Sequence, residues 1–157
     1  MSLEIGTKAP NFASDTDGGG KLVLNELQGS WVILYFYPKD DTSGCTKEAC
    51  SLNDNLDGLT KLNAIVVGVS PDSPSSHDKF KAKYNLNFKL VSDVDHKISE
   101  SYNAWGEKSM YGRKYMGIIR STFLIDPKGV IKHIFSKVNV NGHTEEIIKK
   151  LNSLASL

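Results

Sequence analysis

A continuous apolar and aromatic run extends from Trp31 to Tyr37 and is closed by Pro38. Its β-branched and aromatic content predicts a strand buried on both faces, as at the centre of an α/β sheet. Ala64–Ser70 repeats the pattern as a second buried strand. Between them, after a loop at Lys39–Gly44, the mixed polar and apolar segment from Cys45 to about Leu56 predicts a helix. Upstream, Asp15–Gly20 is a turn and Lys21–Leu24 the returning arm of a short hairpin. Downstream, the Ser- and Pro-rich turn Pro71–Ser76 opens a helix near Ser76–Tyr84. Phe88–Val91 and Ser121–Ile125 are further strand candidates, and Asp126-Pro127-Lys128-Gly129 turns the chain into a returning strand at Val130–Phe135. Ile147, Ile148, Leu151 and Leu154 share one face of a helix over Gly142–Leu154. This order predicts an α/β fold, a central mixed sheet flanked by helices with an N-terminal hairpin extension. No repeat, low-complexity stretch or linker interrupts it, so one domain over residues 1–157 is expected.

Composition narrows the function classes. The chain has 157 residues, 39% hydrophobic and 24% charged, the balance of a soluble globular protein. Lys and Arg number 19 against 18 Asp and Glu, a formal net charge of +1 that gives no electrostatic case for nucleic acid or an anionic membrane. No apolar run is long enough to span a bilayer, and no basic segment precedes an apolar one at the start, so no secretory signal is expected. Two cysteines are too few for a secreted disulfide scaffold, which points to a reducing, cytoplasmic setting.

The chemistry concentrates in Tyr37-Pro38-Lys39-Asp40-Asp41-Thr42-Ser43-Gly44-Cys45-Thr46-Lys47-Glu48-Ala49-Cys50. This segment leaves a buried strand and enters a helix, so Cys45 falls near a helix N-terminus. There, unpaired backbone N–H groups and the positive end of the dipole favour a thiolate. The acidic Asp40, Asp41 and Glu48 oppose that effect, so a positive partner must come from elsewhere in the chain. Cys45 and Cys50 are five positions apart, which excludes the C-x-x-C dithiol. On a regular helix such residues have Cα atoms about 8–9 Å apart, beyond the roughly 7 Å limit for a disulfide. A bridge between them requires the first turns to unwind. Two ordinary buried thiols are the competing interpretation. His77, His96, His133 and His143 are scattered without ligand spacing, so no metal site is expected and each histidine is assigned to the surface or a helix end.

Pro38-x-x-x-Thr42-x-x-Cys45 resembles the active-site signature of peroxiredoxins, and Cys50 five residues on resembles the subgroup called peroxiredoxin Q or bacterioferritin comigratory protein. Gly6–Phe12, Val69–Ser73, Trp105–Lys108 and Arg120–Asp126 resemble further family segments in the same order. The resemblance implies a thioredoxin-like fold, Cys45 as peroxidatic cysteine, Cys50 as resolving cysteine, and an intramolecular Cys45–Cys50 redox disulfide. It further implies that Thr42 hydrogen-bonds the peroxide, that Pro38 and Gly44 shape the pocket, and that Arg120 completes the site. A hydroperoxide substrate and a thioredoxin-type dithiol reductant follow from it, with no cofactor because sulfur carries the redox change. A monomer is expected. Ser43 departs from the subgroup, which usually has Pro directly before Gly-Cys; proline would stiffen the loop. The rival reading is a thioredoxin-fold binding or holdase protein without turnover.

Overall fold

The computed structural model describes residues 3–156. A short antiparallel hairpin, β1 (Ala13–Asp15) and β2 (Lys21–Val23), leads into β3 (Trp31–Phe36). Helices α1 (Ser43–Asp54) and α2 (Leu56–Lys61) follow, then β4 (Ala64–Ser70), α3 (Pro74–Tyr84), β5 (Lys89–Ser92) and α4 (Lys97–Ser101). A two-stranded ribbon, β6 (Trp105–Met110) and β7 (Arg113–Ile118), precedes β8 (Ser121–Ile125), β9 (Ile131–Ser136) and α5 (His143–Ala155).

The central sheet has the order β5-β4-β3-β8-β9, with β3, β4 and β5 parallel and β8 and β9 antiparallel to their neighbours. The uninterrupted apolar run of β3 is explained by its place in the middle. Val32, Leu34 and Phe36 enter one core with Val67, Val69, Tyr102, Phe123 and Ile125. Ile33, Tyr35 and Tyr37 enter the other, against Ala49 and Leu52 of α1, Phe80 of α3, and Ile147 and Leu151 of α5. Alternate side chains point to opposite faces of a strand, so covering both faces requires every residue to be apolar. The predicted mixed sheet, flanking helices and N-terminal hairpin are all present.

The differences have local causes. α3 starts at Pro74, inside the segment expected to be a turn: the Ser73 hydroxyl accepts from the Ser76 N–H at 3.1 Å, and proline suits the first helical position. The β6–β7 ribbon was not anticipated from the sequence. Its residues are largely exposed on both sides and carry no period-two apolar signal, while Tyr111 (φ 52°) and Gly112 (φ 78°) form the left-handed turn that closes it. The short helices α2 and α4, of six and five residues, likewise lie outside the sequence expectation because they are too short to show a helical period. His77 corrects the surface assignment of the histidines: it lies inside α3 and is 0% exposed. His143 does open α5 but is also buried, with its Nε2 2.8 Å from the Thr122 hydroxyl.

Candidate active site

The site forms where β3 ends. Its chain passes half-buried Pro38 and reaches α1 at Ser43, placing Cys45 in the first turn of the helix and 1% exposed. Strand β8 runs antiparallel to β3 with Phe36 opposite Ser121. That register sets the preceding residue, Arg120, beside the same end of the sheet. Its Nη2 donates to the Cys45 sulfur at 3.0 Å, and its Nη1 donates to Glu48 Oε1 at 3.0 Å. The structure therefore brings Arg120 onto Cys45 across 75 positions of sequence. The Arg120 backbone is tied down by the Val138 N–H, which donates to its carbonyl at 3.0 Å. Gly44 makes room for the contact, since a Cβ there would lie 3.0 Å from Nη2.

The other predicted residues are arranged less tightly. Thr42, extended at the cap position of α1, is exposed and donates its hydroxyl to the Lys39 carbonyl at 2.9 Å instead of accepting from the helix. Cys50 lies one and a half turns beyond Cys45 on α1, half-buried; burial and then the Asp54 charge push its thiol up. Both cysteines are free thiols.

Glu48, an opposing charge in the sequence, is in the structure also a partner of Arg120. Three positions after Cys45, it shares that helix face, is 2% exposed, and serves as the second acceptor for Arg120. Burial raises its pKa to about 7 even though the Arg120 charge and hydrogen bond pull it down. The guanidinium remains charged at working pH and can favour a thiolate. The Tyr35 hydroxyl is buried with no hydrogen-bond partner among the described residues; burial, then the charges of Glu48 and Cys45, hold it well above the ordinary tyrosine value. A cavity of about 370 Å³ bounded by Glu107, Lys108, Ile119, Arg120, Lys137 and Val138 opens beside the arginine.

Glu48 gives a test of stability. A carboxyl with a native pKa near 7 and an ordinary value of 4.5 contributes stability that is complete below about 4.5 and is lost as pH rises through about 7. The full difference is on the order of 3 kcal/mol. Glu48→Gln is expected to flatten this slope, measured by urea unfolding from pH 4.5 to 8; equal slopes in both proteins would contradict it.

The remaining acidic residues are directed away from the sulfur. Asp41 (φ 59°) accepts from Lys83 Nζ at 2.8 Å and from the Tyr84 hydroxyl at 2.7 Å. Asp40 is buried and accepts from the Tyr37 hydroxyl at 2.6 Å, the Ser76 hydroxyl at 2.8 Å and His77 Nδ1 at 2.7 Å. Asp40, Asp72 and His77 bring ligand-type atoms within 4.8 Å of one another, a clustering that their sequence spacing concealed. Those atoms are engaged in hydrogen bonds: Asp72 Oδ2 accepts from the Asp40 N–H and from the Ser70 hydroxyl.

A buried cysteine at a helix N-terminus, within hydrogen-bond reach of an arginine beyond the carboxyl end of a central strand, defines a thiol-based redox protein. Residues 5–134 match the AhpC/TSA family. A Bacillus subtilis relative named peroxiredoxin Bcp is 44% identical over 155 residues, covering 99% of each chain. A cysteine-to-serine mutant of PrxQ from Xylella fastidiosa superposes with a TM-score of 0.93 at 38% identity, covering 99% of each chain. A Xanthomonas campestris bacterioferritin comigratory protein, described for its alkyl peroxide reduction activity, gives 0.88 at 40% identity and covers 92% of each chain. The chain belongs to the AhpC/TSA family and, within it, to the peroxiredoxins of the Bcp or PrxQ type, with their thioredoxin-like fold.

Proposed function

We propose that the chain, acting as one domain, reduces hydroperoxides with Cys45 as the attacking thiol and Cys50 as the thiol that resolves it. The observation that carries this reading is the 3.0 Å hydrogen bond from Arg120 to the buried Cys45 sulfur at the start of α1. The Cys45 thiolate attacks one peroxide oxygen and the O–O bond breaks. The sulfur becomes a sulfenic acid, and the departing alkoxide or hydroxide takes a proton and leaves as alcohol or water. Arg120 stabilises first the thiolate and then the charge on the departing oxygen. Once the peroxide enters, the Thr42 hydroxyl, free to turn from the Lys39 carbonyl, accepts from one peroxide oxygen and aligns the bond, with Pro38 and Gly44 as walls. Cys50 then condenses with the sulfenic acid, releasing water and forming the Cys45–Cys50 disulfide within one chain. A thioredoxin-type dithiol reduces this disulfide by exchange. Two free thiols suit a reducing, cytoplasmic setting. No helix among the described residues is long and apolar enough to cross a membrane.

Intact-mass measurement after one equivalent of hydrogen peroxide tests the scheme. The expected product is a monomer lighter by two hydrogens. An unchanged mass favours the binding or holdase reading, whereas a disulfide-linked dimer overturns the intramolecular route.

A further inference from the structure

The buried cluster around Asp40 has no part in the chemistry above, yet it holds the loop that delivers Cys45. Asp40 lies between the end of β3 and the first turn of α1. Its carboxylate is held by the Tyr37 hydroxyl at 2.6 Å and, at the opening turn of α3, by the Ser76 hydroxyl and His77 Nδ1 at 2.8 and 2.7 Å. Its N–H donates to Asp72 at 2.8 Å. His77 in turn reaches β5, with Nε2 3.0 Å from the Val91 carbonyl. The next residue, Asp41, is joined to Lys83 and Tyr84 at the other end of α3. The loop is thus fastened along the length of α3.

The hydrogen-bond count fixes the state of His77. A carbonyl oxygen only accepts and a carboxylate oxygen only accepts, so both ring nitrogens must carry protons, and only an imidazolium satisfies both contacts. Every group facing the ring is consistent with that charge. Asp40 is its direct partner, Asp72 is a nearby carboxylate, and Tyr37 Oη is 3.5 Å from Nδ1. The tyrosine is held neutral, because burial and then its surroundings keep it well above its ordinary value. Burial pushes the His77 pKa down, but the Asp40 hydrogen bond and charge, the Val91 carbonyl and the Asp72 charge outweigh it and leave the value raised above 6.5. Loss of the proton leaves one nitrogen with its lone pair facing an acceptor, and one of the two contacts must break.

We propose that His77, as an imidazolium, is a positioning residue that holds the Cys45 loop through Asp40, so that loop order and the first oxidation step follow the His77 proton. The kinetic part rests on the peroxidase reading; the structural part does not. Below the raised His77 pKa the clamp is closed, and above it the loop loosens.

The test uses amide NMR on the Cys45→Ser protein, where no thiolate titrates at the site, together with the first oxidation rate of the parent protein. The Asp40–Gly44 amides are expected to shift with the same midpoint as the His77 ring, above 6.5. Asp40→Asn, which preserves shape but removes the charge, is expected to lower the His77 midpoint and release the loop amides from it. In stopped-flow measurements with hydrogen peroxide, the parent rate should drop several-fold above that midpoint, whereas Asp40→Asn should show no such decline. Loop amides indifferent to His77 would overturn the proposal, as would a parent rate without a downward limb. If Asp40→Asn does not fold, the Cys45→Ser and parent titrations decide by themselves. A parent protein that is not oxidised at all counts against the peroxidase reading, and the NMR titration still decides whether His77 holds the loop.

Discussion

Cys45→Ser is expected to reduce hydroperoxide consumption to the uncatalysed background, while Cys50→Ser should complete one oxidation per molecule and then stall. A serine hydroxyl is not appreciably ionised near neutrality and cannot be cycled through a sulfenic acid, so the Arg120 charge has nothing to activate. The substitution is nearly isosteric and leaves the Arg120–Glu48 pair in place, so the loss reports chemistry and not unfolding. In Cys50→Ser the Cys45 thiol, its arginine and the loop are intact, and the first turnover should run at close to the parent rate. The product then persists as sulfenic acid or as a mixed disulfide with added thiol. Single-turnover stopped flow with hydrogen peroxide, followed by mass analysis, separates the two. Equal first-turnover rates for Cys45→Ser and the parent would assign the nucleophile elsewhere.

Oxidation is expected to melt the first two turns of α1. Both cysteines lie within this helix, and five residues of regular α-helix hold their Cα atoms about 8–9 Å apart, too far for a disulfide. The helix start is built to give way. Its cap residue Thr42 makes no side-chain hydrogen bond to the first turn, Gly44 lowers helix propensity, and Ser43 leaves the loop freer than proline would. Ala49 and Cys45 are the apolar residues in these turns, and both are small. The anchors lie further along: Leu52 is 0% exposed, and the Ser51 hydroxyl meets that of Thr144 on α5 at 2.7 Å. Unwinding therefore sacrifices several helical hydrogen bonds, each with a net value of about 0.5–1.5 kcal/mol, and the buried Glu48–Arg120 contact, but removes no large apolar side chain from the core. Until it happens, Cys50 remains a thiol with a raised pKa. Hydrogen exchange at amides 46–54 should lose at least about tenfold protection in the disulfide form, equivalent to about 1.4 kcal/mol. Amides in the following helix α2 should change little. Equal protection in both redox states would mean that another element moves, or that the disulfide forms with another thiol.

The local elements were legible because their signals are one-dimensional. Trp31–Phe36 and Ala64–Ser70 are strands covered on both faces, and continuous apolar runs record that directly. The placement of Cys45 after such a strand and at a helix start was equally readable, since loop and helix follow each other in the chain. The β6–β7 ribbon left no such trace: apart from its base at Trp105 and Ile118 it buries too little to impose a period.

What the sequence determined by itself is thus the strand–loop–helix that presents Cys45, together with the spacing that keeps Cys50 out of reach on an intact helix. The tertiary structure decided which polar groups meet. The β3–β8 register brings Arg120 to the sulfur, the same helix face makes Glu48, an opposing charge, also the arginine's second partner, and the packing of α3 buries His77 against Asp40. Apolar burial follows a short repeat along the chain, so it can be read locally. A buried charge is stable only with a partner, and the partner is set by sheet register and helix packing across long separations, which no local pattern encodes.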